Sequence, residues 1–580
     1  MKFFINTLFS IFISINLNAQ FLGNEGFMGV APGTVISYGG DWENNGLPNV
    51  GKGKFVFCGA GAQTLTGTTT WEYLEIDNPL GVTINSGDQY IHAILYPTNG
   101  TFTTNGLLTL LSASGQTALI AGTGTGDISG DVNIQRYLAP DSALGYKHFA
   151  TPFVGTAAGA EITQFSSYMD LITGTTSDDP FPTFWQYDET NTNVLFDSGW
   201  IAPTTAIMQP MVGYTANFGS DPANTQTVSL TGSVNNGAIS IPVYYSNSGN
   251  ANSDGWNFVG NPYPSPIDWD APGWTKTNVV NGFSIYNATG QYTGYYGCYS
   301  GITGLGTHNT TNLIPSMRAF YVKTTANGTL GVTNSVRTLD LNPNPYFAKK
   351  TPKSNYKFLH LDVAENAANS TPDDLFIYFD SDNQTPGITK LWNTDLHIPN
   401  IFSINNSNDY LAINRMNDVN DSDVVVPIGL YVRNNNTYKI TASDISNFSA
   451  ETKIYLLDKS MGVTQDLTLN PDYYFNFNVN DAPTGRFYIV FSIKTDINEP
   501  SNYNQDLFSA YTNGNELFVN YYGENQGLIC IYNTLGQQLH NGKVNKGINS
   551  FNFKLSHGYY FIKVISDDKS STKKIYFNNY

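Results

Sequence analysis

The sequence predicts an all-β, multidomain chain, and three observations carry that prediction. Aromatic residues make up 14% of the chain, with 37 Tyr and 35 Phe, against only 13% charged residues. Apolar runs are short, alternate with polar residues, and are separated by Gly, Asn and Pro. Runs of Ala, Glu, Lys and Leu, which would favour helices, are rare. Strands joined by tight turns satisfy all three, and so many aromatics exclude a disordered chain. At 580 residues the chain is long enough for several domains, each with its own core.

The elements follow in order. Residues 1–19 read as a signal peptide. Lys2 supplies the positive start, Phe3 to Leu17 is mostly apolar, and Ala19 is a small residue at the expected cleavage point. The run is short and interrupted by Asn6, Ser10, Ser14 and Asn16, which argues against a mature membrane anchor. No other stretch approaches a spanning helix.

Residues 20–137 carry short strand-like runs such as Lys54-Phe55-Val56-Phe57, Tyr73-Leu74-Glu75-Ile76 and Leu107-Leu108-Thr109-Leu110-Leu111. Their spacing suits a β-solenoid-like region or a sandwich. Thr alternates with apolar residues, as in Gly100-Thr101-Phe102-Thr103-Thr104, which predicts an apolar inner face and a hydroxyl-rich outer one.

In residues 138–346 three segments echo later ones in the same order. Phe149-Ala150-Thr151-Pro152-Phe153 matches Val259-Gly260-Asn261-Pro262-Tyr263. Phe184-Trp185-Gln186-Tyr187 matches Phe283-Ser284-Ile285-Tyr286. Pro210-Met211-Val212-Gly213-Tyr214 matches Pro315-Ser316-Met317-Arg318-Ala319-Phe320. A β domain with an internal duplication would explain them. A Pro- and Lys-containing linker then leads to residues 356–494, whose alternating runs, such as Leu375-Phe376-Ile377-Tyr378-Phe379, predict a β-sandwich. A second polar linker precedes residues 506–580.

That last segment is a helix-free string of strands and turns, large enough for a small sandwich. Ile531-Tyr532 ends a strand, Leu535-Gly536-Gln537 turns, and Leu555-Ser556-His557-Gly558-Tyr559-Tyr560-Phe561-Ile562-Lys563 turns into another strand. Lys574-Ile575 lies in the closing one. In this order the motifs resemble the type A C-terminal sorting domain of the type IX secretion system of Bacteroidetes. The residues that carry the resemblance are Tyr532, Leu535, Gly536, Gln537, Leu555, Gly558, Tyr559, Lys563, Lys574 and Ile575. Members often open with Tyr-Pro-Asn-Pro; Tyr511-Thr512-Asn513-Gly514 stands there instead, which blurs where the domain starts. The resemblance implies an Ig-like sandwich that is a signal and not an active site. It further implies recognition of residues 506–580 by the outer-membrane translocon, then release or attachment to surface lipopolysaccharide. The N-terminal region likewise resembles adhesin-like segments of secreted Bacteroidetes proteins, through Asp41-Trp42-Glu43-Asn44-Asn45-Gly46 and Gln135-Arg136-Tyr137.

Composition limits the partners and the chemistry. A net charge of −18 repels phosphate backbones, so nucleic acid is excluded as a partner. The three cysteines, Cys58, Cys298 and Cys530, are far apart and form neither a disulfide framework nor a thiolate zinc site; whether Cys58 and Cys298 pair stays open. Cys58 reads as a core thiol. None of the seven histidines stands in an HxH or HExxH pattern or forms a nearby pair with a carboxylate, and each reads as a core or surface residue. No nucleophile elbow or P-loop occurs, so no enzyme is expected. Alternating oxygen ligands at Asp418, Asn420 and Ser422 make a candidate Ca²⁺ loop, without the Gly and Glu of an EF-hand. Trp185, Trp256 and Trp269 are candidates for an aromatic platform under a sugar, although such residues commonly fill cores. The expected function is an exported adhesive or structural surface protein. A carbohydrate-binding accessory protein and a glycan-active enzyme are the alternatives.

Overall fold

The computed structural model describes residues 15–17, 21–138, 144–156, 160–174, 182–191, 195–219, 226–342, 355–380, 387–418, 423–493 and 507–577, apart from 514, 515, 522, 524, 554, 557, 567 and 568. Strands dominate, and the helices among these residues are short 3-10 turns. None is long and apolar enough to cross a membrane. The chain divides into two compact units, residues 1–351 and 352–580.

The first unit opens with a β-solenoid. One parallel sheet runs through Val35–Tyr38, Lys54–Phe57, Thr69–Asp77, Gln89–Asn99, Leu108–Leu110 and Val132–Leu138. The other runs through Phe21–Asn24, Asp41–Asn44, Gln63–Thr66, Val82–Ser86, Thr101–Thr103 and Asp127–Ser129. Ile15–Leu17, inside the expected leader, pairs beside Val35–Tyr38. Val35 lies beside Lys54, Lys54 beside Tyr73, Thr69 beside Gln89, and Gln89 beside Leu108, so each rung takes about 20 residues. Alternation does the rest. Inward residues stack between the sheets, with Trp71 packed on Trp42, Phe55 and Phe57 at centroid distances of 5.2, 4.9 and 5.8 Å. Outward, Thr64, Thr83, Thr103 and Ser129 stand side by side, one per rung.

The corners are held by buried amides. Asn24 donates to Asn44 Oδ1 at 2.9 Å, Asn44 donates to Thr68 O at 2.8 Å, and Gln89 donates to Gly67 O at 2.7 Å. The last two bonds satisfy backbone carbonyls at the turns, and the first links one corner amide to the next. Gly67 shows why the corner needs glycine: its φ is +83°, and a Cβ there would lie 2.0 Å from Asn44 O. The last rung does not end in an open edge. Val132–Leu138 pairs antiparallel with Gln226–Gly232, from Val132 beside Gly232 to Leu138 beside Gln226, and this caps the sheet.

The echoing segments occupy matching places in two further sheets. The first pairs Tyr146–Phe149, Tyr214–Asn217, Phe184–Tyr187 and Trp200–Ile201 in that order. In the second, Trp256–Gly260, Ala319–Val332, Gly282–Ala288 and Gly294–Ser300 pair in the same order. Met211 and Met317 hold left-handed backbone at φ +60° and +57°. The two sets also bond reciprocally, Ala150 N–H to Met317 O at 3.3 Å and Gly260 N–H to Met211 O at 2.9 Å. Between the sheets lies an aromatic cluster around buried His148, which stacks on Tyr286 and meets Phe258, Trp200, Tyr296 and Tyr321. The Gly260-to-Pro264 stretch is an interior turn: Asn261 is fully buried and donates to Ser265 O and Pro315 O, at 2.8 and 2.9 Å.

In the second unit, residues 357–493 form one large sheet that turns back on itself around a single core containing Leu359, Ile377, Ile428, Ile454, Phe475 and Phe487. Tyr473 and Asp458, from strands near opposite ends of the sheet order, meet at 3.0 Å, and Arg486 forks onto Asp458. The two facing layers expected from alternation are therefore parts of one continuous sheet. Lys390 and Asp373 form a fully buried ion pair at 2.6 Å, with Ile401 N–H donating to the same carboxylate at 2.7 Å.

Candidate functional site

The C-terminal segment folds as a seven-strand sandwich. A three-stranded antiparallel sheet holds Phe508–Asn513, Glu516–Tyr521 and Gly547–Asn552; a four-stranded one holds Gln538–Val544, Gly527–Tyr532, Gly558–Ser566 and Lys569–Phe577. Alternation places Leu517, Val519, Ile529, Ile531, Tyr560, Ile562, Val564, Ile575 and Phe577 inside. The outer face of the three-stranded sheet is covered. Phe518 is fully buried there against Leu457 and Tyr488. Beside it, Glu516 accepts from Lys459 at 3.0 and 3.1 Å and from the Tyr488 hydroxyl at 3.1 Å.

The four-stranded sheet is different, because four of the motif residues, Tyr532, Tyr559, Lys563 and Lys574, stand on its outer face. Tyr532 lies beside Phe561, which lies beside Lys574, and Tyr559 lies beside Tyr576. Tyr559 is half exposed, Tyr576 and Phe561 are exposed, and Lys574 Nζ sits 3.9 Å over the Tyr559 ring. Lys563 stands on the same face, beside Cys530. Ile575 and Leu555 instead serve the core. Leu535 projects from the turn and is 83% exposed. Asn533 builds that turn, its Oδ1 accepting from Leu535 N–H and Gln537 N–H at 3.0 and 2.9 Å, while Gly536 takes φ +79°. Phe561, Tyr576 and Asn533 were not singled out by the motif. The alternation Tyr559, Phe561, Lys563 was the signal for the first of them.

The C-terminal sandwich thus presents an aromatic and basic sheet face beside a built turn. Residues 37–491 match the family described as Domain of unknown function (DUF8693). The chain belongs to that family. Residues 513–578 match the Secretion system C-terminal sorting domain, so this DUF8693 member carries a type IX secretion sorting domain. No curated protein matches the chain. A solved structure titled "Biofilm associated protein - BSP domain" aligns over 77% of this chain and 92% of that one, at 9% identity and a TM-score of 0.16, too low to define a shared fold.

Other sequence candidates of this DUF8693 member fall elsewhere. Trp256 and Trp269 are 2% and 0% exposed, and the half-buried Trp185 donates to the Tyr146 hydroxyl. No platform forms from these three, because the aromatic richness of this region fills its interior. Asp418 pairs with Lys357 at 3.1 Å, while Asn420 and Ser422 lie outside the described residues. Cys58 is exposed, not core: the strand ends at Phe57, which points inward, and the next residue points out. Burial of its surroundings and the Asp77 and Glu75 charges hold its thiol above the ordinary range.

Contrary to the expectation from spacing, His92, His360 and His397 pair with carboxylates among the described residues. His92 meets Glu72 at 3.0 Å and His397 meets Glu365 at 3.2 Å. His360 meets Asp374 at 2.8 Å and Asp362 at 3.5 Å. Sequence spacing misses the first two and the Asp374 contact because the partners lie on other strands or turns. Burial alone would lower the His360 pKa, but the Asp374 hydrogen bond and the charges of Asp374, Asp362 and Asp444 outweigh it and hold the imidazolium above its ordinary range. His148 moves the other way. Burial, helped by the Arg318 cation, pushes it well below the ordinary range.

Proposed function

We propose that the chain is a non-catalytic protein of a Bacteroidetes-type cell surface, exported in two steps. Residues 1–19 take it to the periplasm, and the C-terminal sandwich then takes it across the outer membrane, for release or for attachment to surface lipopolysaccharide. The observation that carries this reading is the exposed face of Tyr532, Tyr559, Phe561, Lys563, Lys574 and Tyr576, in the segment that matches a sorting domain. The rest of the chain is proposed as an adhesive or structural body. Its support is the solenoid, a rigid stack whose outward Thr64, Thr83, Thr103 and Ser129 repeat hydroxyls at the rung spacing, suited to hydrogen bonding with a glycan surface.

The test is localisation, in a host with a working type IX system, of the full chain against one truncated after Asn504. Periplasmic retention of the truncated chain is the expected result. A second variant, Tyr559→Ser with Lys563→Glu, leaves the sandwich core intact and should also be retained. Surface delivery of the truncated chain would make the sandwich an ordinary terminal module and end the export reading.

A further inference from the structure

The geometry points to a divalent-cation site on the large sheet of the second unit, formed by His360, Asp362 and Asp374 and suited to Zn²⁺ or a cation of similar ligand preference. The three side chains come from two paired strands, Lys357–Glu365 and Asp373–Phe379, in which Asp362 lies directly opposite Asp374. His360 Nε2 stands 2.8 Å from Asp374 Oδ2 and 3.5 Å from Asp362 Oδ1, and the three ligand atoms all fall within 4.8 Å of one another. Bonds of about 2.0–2.1 Å to a tetrahedral ion put ligand atoms roughly 3.3 Å apart, which these separations bracket.

The imidazole is also held in place for this role. Its ring lies flat on Phe376, 3.9 Å between centroids and 5° between planes. Asp444, opposite His360 on the neighbouring strand Asn436–Ser446, adds a further negative charge. His360 and Asp362 keep about a quarter of their side-chain surface exposed, so an ion can reach them and water can complete the coordination. One imidazole nitrogen with two carboxylates favours Zn²⁺ over Ca²⁺, whose sites are built from oxygen alone. The contrast with neighbouring Asp373 is informative: its carboxylate is engaged by Lys390 and the Ile401 N–H in a closed, fully buried pair. Among the described residues, His92 and His397 each form an ion pair with a single carboxylate, Glu72 and Glu365.

The experiment titrates the purified full chain with ZnCl₂ by calorimetry, in parallel with His360→Gln, Asp374→Asn and the control His92→Gln. Circular dichroism and thermal melting without metal establish that each variant folds. The expected result is one saturable Zn²⁺ site per chain, weakened at least tenfold by His360→Gln and by Asp374→Asn, unchanged by His92→Gln, and not competed by millimolar CaCl₂. Zn²⁺ should raise the melting temperature of the parent chain and not that of folded His360→Gln. Absence of saturable binding, or binding that persists in both folded variants, would reduce the cluster to an ordinary ion pair and overturn the proposal.

Discussion

His148 ties the stability of the first unit to pH, and the size of the effect can be worked out. The ring is buried within five aromatic side chains, and its Nδ1 has no hydrogen-bond partner among the described residues. Arg318 is the cation that faces it; Tyr187, Tyr286, Tyr296 and Tyr321 are titratable neighbours in the cluster, and burial, with the charges of Asp197 and Glu189, pushes the phenols of Tyr187, Tyr296 and Tyr321 up, so they stay neutral. The folded pKa lies well below 6.5 and the unfolded one near it. The unfolded chain therefore binds more protons below pH 6.5, and stability is present above that pH and lost as pH falls through it. Linkage from pH 7.5 to 5.0 removes about 2 kcal/mol, the cost of protonating only the unfolded imidazole. His148→Phe keeps the ring contacts and removes the titration. Urea unfolding followed by tryptophan fluorescence suits the assay, since Trp200 packs beside the ring and Trp256 beside Tyr321. Between pH 7.5 and 5.0 the parent should lose about 2 kcal/mol more than the variant. Equal losses in both, or a His148 titration with a midpoint near 6.5, would refute the reasoning.

Three further outcomes are expected. Trp71→Ala removes the centre of the solenoid stack and the partner of Gln89 Oε1, and should cost about 3–5 kcal/mol in denaturant unfolding, whereas outward Thr83→Ser should cost under about 0.5 kcal/mol. Lys390→Met leaves the buried Asp373 carboxylate without its cation and should cost about 3–5 kcal/mol, while Lys390→Met combined with Asp373→Leu should recover most of that loss. Phe518→Ala empties the contact with Leu457 and Tyr488 and should cost about 3 kcal/mol; limited proteolysis should then release the sorting sandwich sooner while residues 357–493 stay protected.

The parts of this chain that were legible in the sequence are those written locally. Gly536 demands a turn, and Tyr559, Phe561 and Lys563 alternate with Tyr560 and Ile562, so the motif and the faces of its strands could be read directly. The solenoid was half legible. Gly26, Gly46, Gly67 and Gly87 mark successive corners, but the step from Leu108 to Val132 is longer than the others and blurs the period. Burial of Trp256 and Trp269 could not be read, since an indole in a core and one on a platform have the same neighbours in sequence. His360 and Asp374 are joined by strand register, which emerges only once Asp362 and Asp374 are known to face each other.

The strand that closes the solenoid has a kinetic consequence. Gln226–Gly232 lies some 90 residues beyond the rung it covers, and its pairing is the most non-local step in building that sheet. The rungs from Phe21 onward can zip up in order, each against the one before it. The final one stays an open parallel edge until the chain between has folded enough to bring its partner back. That interval is when the edge of one molecule is available to the edge of another, so the yield of soluble protein depends on how fast the first of the two matching sheets takes shape.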